Sequence, residues 1–114
     1  MAVFAEMLEG FTRHRGVQGG LVVSERDGIV VDSQVQLGVR ATVVAALAAS
    51  IYRKARLSAE AAGLGAVAYV ELAAAEGRLC MVGRGDLVVV LITDGRSTVG
   101  LLRSALLQAA ETLA

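Results

Sequence analysis

The chain has 114 residues, of which 55% are hydrophobic and 19% charged, and its mean hydropathy is +0.62. That composition excludes a disordered tail, and the length leaves room for a single domain, residues 1–114. Eleven Lys and Arg balance eleven Asp and Glu, so the net charge is +0 and no basic surplus supports binding to nucleic acid or an anionic membrane.

The largest basic cluster is Arg53 and Lys54 with Arg56. The longest uncharged run, residues 41–52, falls short of the roughly 18 residues that cross a bilayer. Glu6 and Glu9 interrupt any apolar leader-like run at the start. A lone Cys80 forms neither an intrachain disulfide nor a thiolate zinc site. The expectation is a cytoplasmic protein without membrane insertion.

Phe4, Met7, Leu8 and Phe11 recur at helical spacing, which predicts a first helix over residues 2–13. Gly16 ends it. Residues 21–24 and 29–32 are rich in β-branched side chains and flank Asp27-Gly28, a pair suited to a tight hairpin turn. Residues 39–62 form a long Ala-rich stretch without Gly or Pro, closed by Gly63, and predict the longest helix. Three strands follow, at about 65–73, 78–82 and 87–93, with turns short enough for a meander. Residues 87–92 are apolar throughout, which requires cover on both faces of that strand. Leu101, Leu102, Ala105, Leu106, Ala109 and Leu113 share one face of a final helix. The order α-β-β-α-β-β-β-α describes an α/β (α+β) chain with helices on both faces of a five-stranded antiparallel-type sheet.

On a helical wheel the long helix divides into three stripes. Val43, Val44, Leu47 and Ile51 form a bulky face expected to pack on the sheet. Arg53, Arg56 and Glu60 lie on the far side with Ala46 and Ala49. Between them, Ala41, Ala45, Ala48, Tyr52, Ala55 and Ala59 follow a 4-3-4-3-4 spacing, the pattern of a helix-pairing seam. Small residues there would admit a second helix closely, and a sister copy would supply it. The alternative is that the alanines reflect helix propensity and pack on the chain's own sheet.

Residues 16–24, Gly-Val-Gln-Gly-Gly-Leu-Val-Val-Ser, followed by Asp27-Gly28-Ile29-Val30-Val31-Asp32-Ser33, resemble the first hairpin of the Roadblock (dynein light chain roadblock) family. Gly100-Leu101-Leu102-Arg103 is similar to that family's C-terminal signature, and the order of elements agrees over essentially the whole chain. The resemblance implies a profilin-like three-layer sandwich that dimerises through the second helix and third strand, which adds Val67 and Tyr69 to the seam residues as interface candidates. It also implies a regulator of Ras-like small GTPases, of the stand-alone prokaryotic gliding-motility protein B type. Family members of the dynein light chain type imply instead a scaffold with no effect on GTPase turnover.

For the GTPase reading, Ala46, Ala49, Arg53, Arg56 and Glu60 are the candidate docking residues. An arginine finger is worth ~10³–10⁵ in rate, but Arg53 and Arg56 also read as solvated charges on an amphipathic helix, and docking is the expected role. No nucleophile–base pair, metal site or cofactor motif stands out. His14 is the only histidine, Cys80 reads as a buried inert thiol, and no Walker motif is present. Arg84-Gly85-Asp86 matches a cell-adhesion tripeptide but reads as a hairpin turn. A small-ligand sensor, suggested by the profilin-like shape, lacks convergent polar residues, so neither an enzyme nor a small-molecule substrate is expected.

Overall fold

The computed structural model describes residues 4–95 and 99–113. In chain order the elements are α1 (Ala5–Thr12), β1 (Val17–Ser24), β2 (Val30–Val35), α2 (Ala41–Ala61), β3 (Val70–Ala74), β4 (Gly77–Arg84), β5 (Leu87–Thr93) and α3 (Val99–Glu111). The strands form one sheet in the order β2-β1-β5-β4-β3, antiparallel at every pairing.

The apolar strand β5 lies at its centre. Val88 and Val90 face α2 together with Leu21, Val23 and Met81. Val89 and Leu91 face the other way with Val22, Cys80 and Val82, beneath Leu8 and Phe11 of α1 and Leu102 and Leu106 of α3. Both faces of β5 are therefore covered, and the three-layer architecture expected from its sequence is present.

Boundaries differ where glycine misleads. Strand β1 starts at Val17 and runs through Gly19 and Gly20, a stretch without strand propensity. Bare Cα atoms are needed there: a Cβ on Gly19 would lie 2.8 Å from Val35 Cγ1, and one on Gly20 would lie 3.1 Å from Leu8 Cδ2. Strand β3 begins at Val70, paired with Met81, so the first part of the predicted 65–73 strand is a connection. Residues 2 and 3 of the predicted first helix lie outside the described residues. The end of α2 is as expected: Gly63, at φ 73°, donates to Glu60 O at 3.1 Å while Leu64 donates to Ala59 O at 2.9 Å, the paired bonds of a Schellman stop.

The faces of α2 differ in part from expectation: Val44 and Ile51 pack half-buried against the core, but the innermost positions belong to the small residues. Ala45, Ala48, Ala49 and Tyr52 are buried against the sheet, whereas Val43 is 40% and Leu47 57% exposed. The side chains rising from the sheet supply the bulk of this layer, so only methyl groups and one flat ring fit on the helix side. Tyr52 is accommodated because Gly83 has no Cβ, which would fall 2.6 Å from the phenol oxygen. Leu102 and Leu106 of α3 and Leu113 just beyond it are buried as expected, but Leu101 is 64% exposed, outside the core stripe to which the periodicity assigned it.

Because Ala48 is fully buried beneath bulky strands, Ala48→Leu should overpack the layer and cost about 1–3 kcal/mol. Thr42→Leu, at an exposed position of the same helix, should change stability by less than about 0.5 kcal/mol. Urea unfolding of the two variants checks both values.

Candidate functional site

At the end of β1 the chain buries a charge. Glu25 is only 7% exposed and receives the Arg56 guanidinium in two parallel bonds, Nη2 to Oε1 at 2.7 Å and Nε to Oε2 at 3.1 Å. Arg53 reaches the same turn from one helical turn earlier. Its Nη2 donates to Arg26 O at 3.1 Å and to Glu25 O, with Nε 3.9 Å from Glu25 Oε1. Spacing i, i+3 places both arginines on one flank of α2. The helix can approach the turn because Gly28 takes φ 66° and lacks a Cβ, which would sit 3.3 Å from Ala46 Cα.

The β4–β5 turn closes the same knot. Asp86 accepts the Ser24 hydroxyl at 2.6 Å and the Arg26 N–H at 2.9 Å, and its carbonyl accepts Glu25 N–H at 2.8 Å. The hydrogen bonds from Ser24 and Arg26 hold the Asp86 carboxyl below the usual carboxylate range. The hydrogen bond to Glu25 raises Arg56 above its ordinary value, so its guanidinium stays protonated. Burial, then the Glu25 carboxylate, push the neighbouring Tyr52 phenol upward. The Arg84-Gly85-Asp86 tripeptide is thus a structural turn whose carboxylate is already engaged.

Elsewhere around α2 the surface is apolar. Val44 and Ile51 of the helix, Val67 and Val70 around the start of β3, Leu79 of β4 and Ile92 of β5 lie half-buried around one core cluster. Exposed Leu72, with Leu79 and Ile92, lines a shallow cavity of about 230 Å³. Leu72 is 46% exposed and belongs to β3, an edge strand that among the described residues pairs only with β4. On the sheet's other face the Tyr69 hydroxyl donates to Glu71 Oε1 at 2.9 Å, and Arg78 Nε approaches Glu71 Oε2 to 3.7 Å. The Arg103 guanidinium lies 5.9 Å from the Tyr69 ring centroid. Burial pushes both the Tyr69 phenol and the Cys80 thiol up, so Cys80 is a protonated core thiol.

The structure divides the predicted interface residues. Ala45, Ala48 and Tyr52 are buried beneath their own sheet, where a second helix cannot touch them. Ala41, Ala55 and Ala59 are half-buried at the margin. Val67 lies on the α2 side and Tyr69 on the α3 side. Of the docking candidates, Ala46 and Glu60 are exposed and Ala49 is buried, while Arg53 and Arg56 are tied to the Glu25 turn yet keep 41% and 37% of their side chains exposed. Sequence reasoning missed Glu25, Ser24 and Asp86 as the anchor. It also assigned Val43 and Leu47 to the core.

The residues 3–93 match the family model of the Roadblock/LC7 domain. The chain belongs to the Roadblock/LC7 family. It is 32% identical over 98 residues to the uncharacterized protein MJ1340 of Methanocaldococcus jannaschii, covering 86% of this chain and 85% of that one. The fold is that of the Roadblock/LC7 domain from Streptomyces avermitilis, with a TM-score of 0.84 at 16% identity over 95% and 92% of the two chains. It is also that of Myxococcus xanthus MglB, with a TM-score of 0.82 at 22% identity over 97% and 94%.

Two measurements check the knot. Glu25→Gln keeps the shape but removes the charge that two guanidiniums answer, and should lower the urea midpoint. For Asp86 the folded pKa lies below the unfolded value, so its contribution is present above pH ~4 and is lost as pH falls through the depressed value. Asp86→Asn should therefore lower stability at neutral pH and flatten the acid limb of the midpoint-versus-pH curve.

Proposed function

We propose that this Roadblock/LC7 chain is a non-enzymatic regulatory adaptor. It pairs with a second copy through α2 and β3 and binds a Ras-like small GTPase on the resulting two-fold surface. The observation that carries the reading is the outward aliphatic row of α2, with Val43 and Leu47 exposed, lying on the same layer as Leu72 and the open β3 edge. Large aliphatic side chains left in water on the same side of a sheet as an unpaired edge strand favour a protein partner. Family membership and the MglB-like fold support the same assignment.

The interface residues are revised accordingly. Val43, Val44, Leu47, Ile51 and Leu72 replace the buried alanines as the pairing surface, with Val67 retained and half-buried Ala41, Ala55 and Ala59 at its margin. Glu71 does not leave an uncompensated charge at the β3 edge, because Tyr69 and Arg78 engage its carboxylate. For the GTPase, the exposed Ala46 and Glu60 remain available, and Arg53 and Arg56 shape the surface through Glu25. An arginine finger would have to leave a buried carboxylate behind, which is costly. Regulation then requires different affinities for the GTP and GDP forms, since equal affinity shifts nothing. The engagement of both arginines equally supports a scaffold of the dynein light chain type, which binds without altering turnover.

Leu47→Glu should weaken self-association at least about 100-fold, equivalent to ~2.7 kcal/mol, measured by sedimentation equilibrium. With a Ras-like GTPase of the same organism loaded with GTP or GDP, binding should differ between the two forms. Arg53→Ala should change stimulated hydrolysis by less than about tenfold, far below the ~10³-fold expected for a finger. Equal binding to both forms with unaltered hydrolysis and exchange would leave the scaffold reading.

A further inference from the structure

Among the described residues the sheet has two free edges, β2 and β3, and they are built differently. In β2 the Gln36 N–H donates to Gln18 O at 3.0 Å, one step beyond the Gly19–Val35 pair. Alternation along an antiparallel ladder then turns the Gln34 and Asp32 backbone groups toward β1 and those of Ser33 and Val35 toward the open side. The outward Ser33 N–H is already occupied, because it donates to Asp32 Oδ1 at 2.8 Å. The pairing passes from Val22–Asp32 to Val23–Val30, leaving Val31 as an extra, exposed residue in a bulge.

Asp32 stands opposite Val22, whose side chain lies beneath α1 and α3. Its carboxylate is therefore directed inward rather than into solvent. Its Oδ2 is buried with no hydrogen-bond partner among the described residues. A carboxylate oxygen held in that state is a poor choice for stability alone. An inward-pointing charge next to a bulge is a known means of blunting a strand edge. Strand β3 differs on both counts: its five residues pair with β4 in unbroken register, and the carboxylate it carries on that face, Glu71, is engaged by Tyr69 and Arg78.

We infer that Asp32 and the Val31 bulge close the β2 edge to strand addition, so that a second copy can add only at β3 and self-association stops at a pair. This rests on the pairing proposed above. A pair joined β3 to β3 is closed by its two-fold axis and carries a β2 edge at each outer end. If those edges accepted strands, β3-to-β2 or β2-to-β2 contacts would extend the sheet without limit. Asp32 is thus a guard against polymerisation, and the partner it excludes is another copy of this chain.

Sedimentation velocity of the full chain at low and high micromolar concentrations tests this, with thermal melting run in parallel. The unmodified protein should show no species larger than the pair. Asp32→Thr removes the charge and the cap on Ser33. It should raise the apparent association constant for larger species at least about tenfold without lowering the melting temperature. Unchanged sedimentation of a folded Asp32→Thr variant overturns the inference, as does assembly that appears only with a lowered melting temperature. Should Asp32→Thr fail to fold, Asp32→Asn, which keeps an acceptor for Ser33 but not the charge, is judged by the same two criteria. Leu72→Glu separates this inference from the pairing reading. Combined with Asp32→Thr, it should still associate through β2, whereas Leu72→Glu alone should be monomeric. An unmodified protein that is itself monomeric removes the β3 pairing, while association induced by Asp32→Thr would still support the guard.

Discussion

The seating of α2 on the sheet is the constraint from which the rest of the molecule follows. Leu21, Val23, Met81, Val88 and Val90 rise from the strands and fill the layer between sheet and helix. What remains admits methyl groups, so Ala45, Ala48 and Ala49 occupy it together with the flat ring of Tyr52. Close packing makes this choice exclusive. Once the small residues face inward, rotation of 100° per residue carries Val43 and Leu47 outward, and an aliphatic row on the surface becomes a consequence of core packing.

Polar chemistry then fixes the helix along its axis. Glu25 at the end of β1 binds Arg56 through both oxygens, Arg53 caps the carbonyls of the same turn, and Asp86 ties in the β4–β5 turn. These contacts join three elements distant in sequence. They also engage the two arginines that the sequence marks as the most conspicuous polar feature of α2. The surface around α2 is apolar toward β3, with small and polar groups on the Glu25 side.

The two sheet edges complete the picture. An edge strand carries unpaired backbone groups whether or not a partner exists, so a protein that associates through one edge must manage the other. Here the β3 edge runs in regular register beside exposed Leu72, while β2 is interrupted by a bulge and an inward carboxylate. Covering helices on both faces leave the edges as the only places where the sheet can grow. The two edges therefore differ in how readily they could accept a further strand.

Periodicity and turn chemistry were enough to read the element order, the meander, the final helix and the double cover of β5, because each depends on local spacing and on the apolar content of a short segment. The same reasoning placed the Asp27-Gly28 turn and the stop at Gly63. The face of α2 was not legible, since alanine and valine both count as apolar and a wheel cannot tell which fits beneath a sheet whose own side chains are not yet placed. Nor could the sequence pair Glu25 with Arg53 and Arg56, residues about thirty positions apart, or show that the Gly19-Gly20 stretch lies within a strand. Those facts depend on volumes and charges brought together from distant parts of the chain, and only the assembled tertiary structure decides which of them meet.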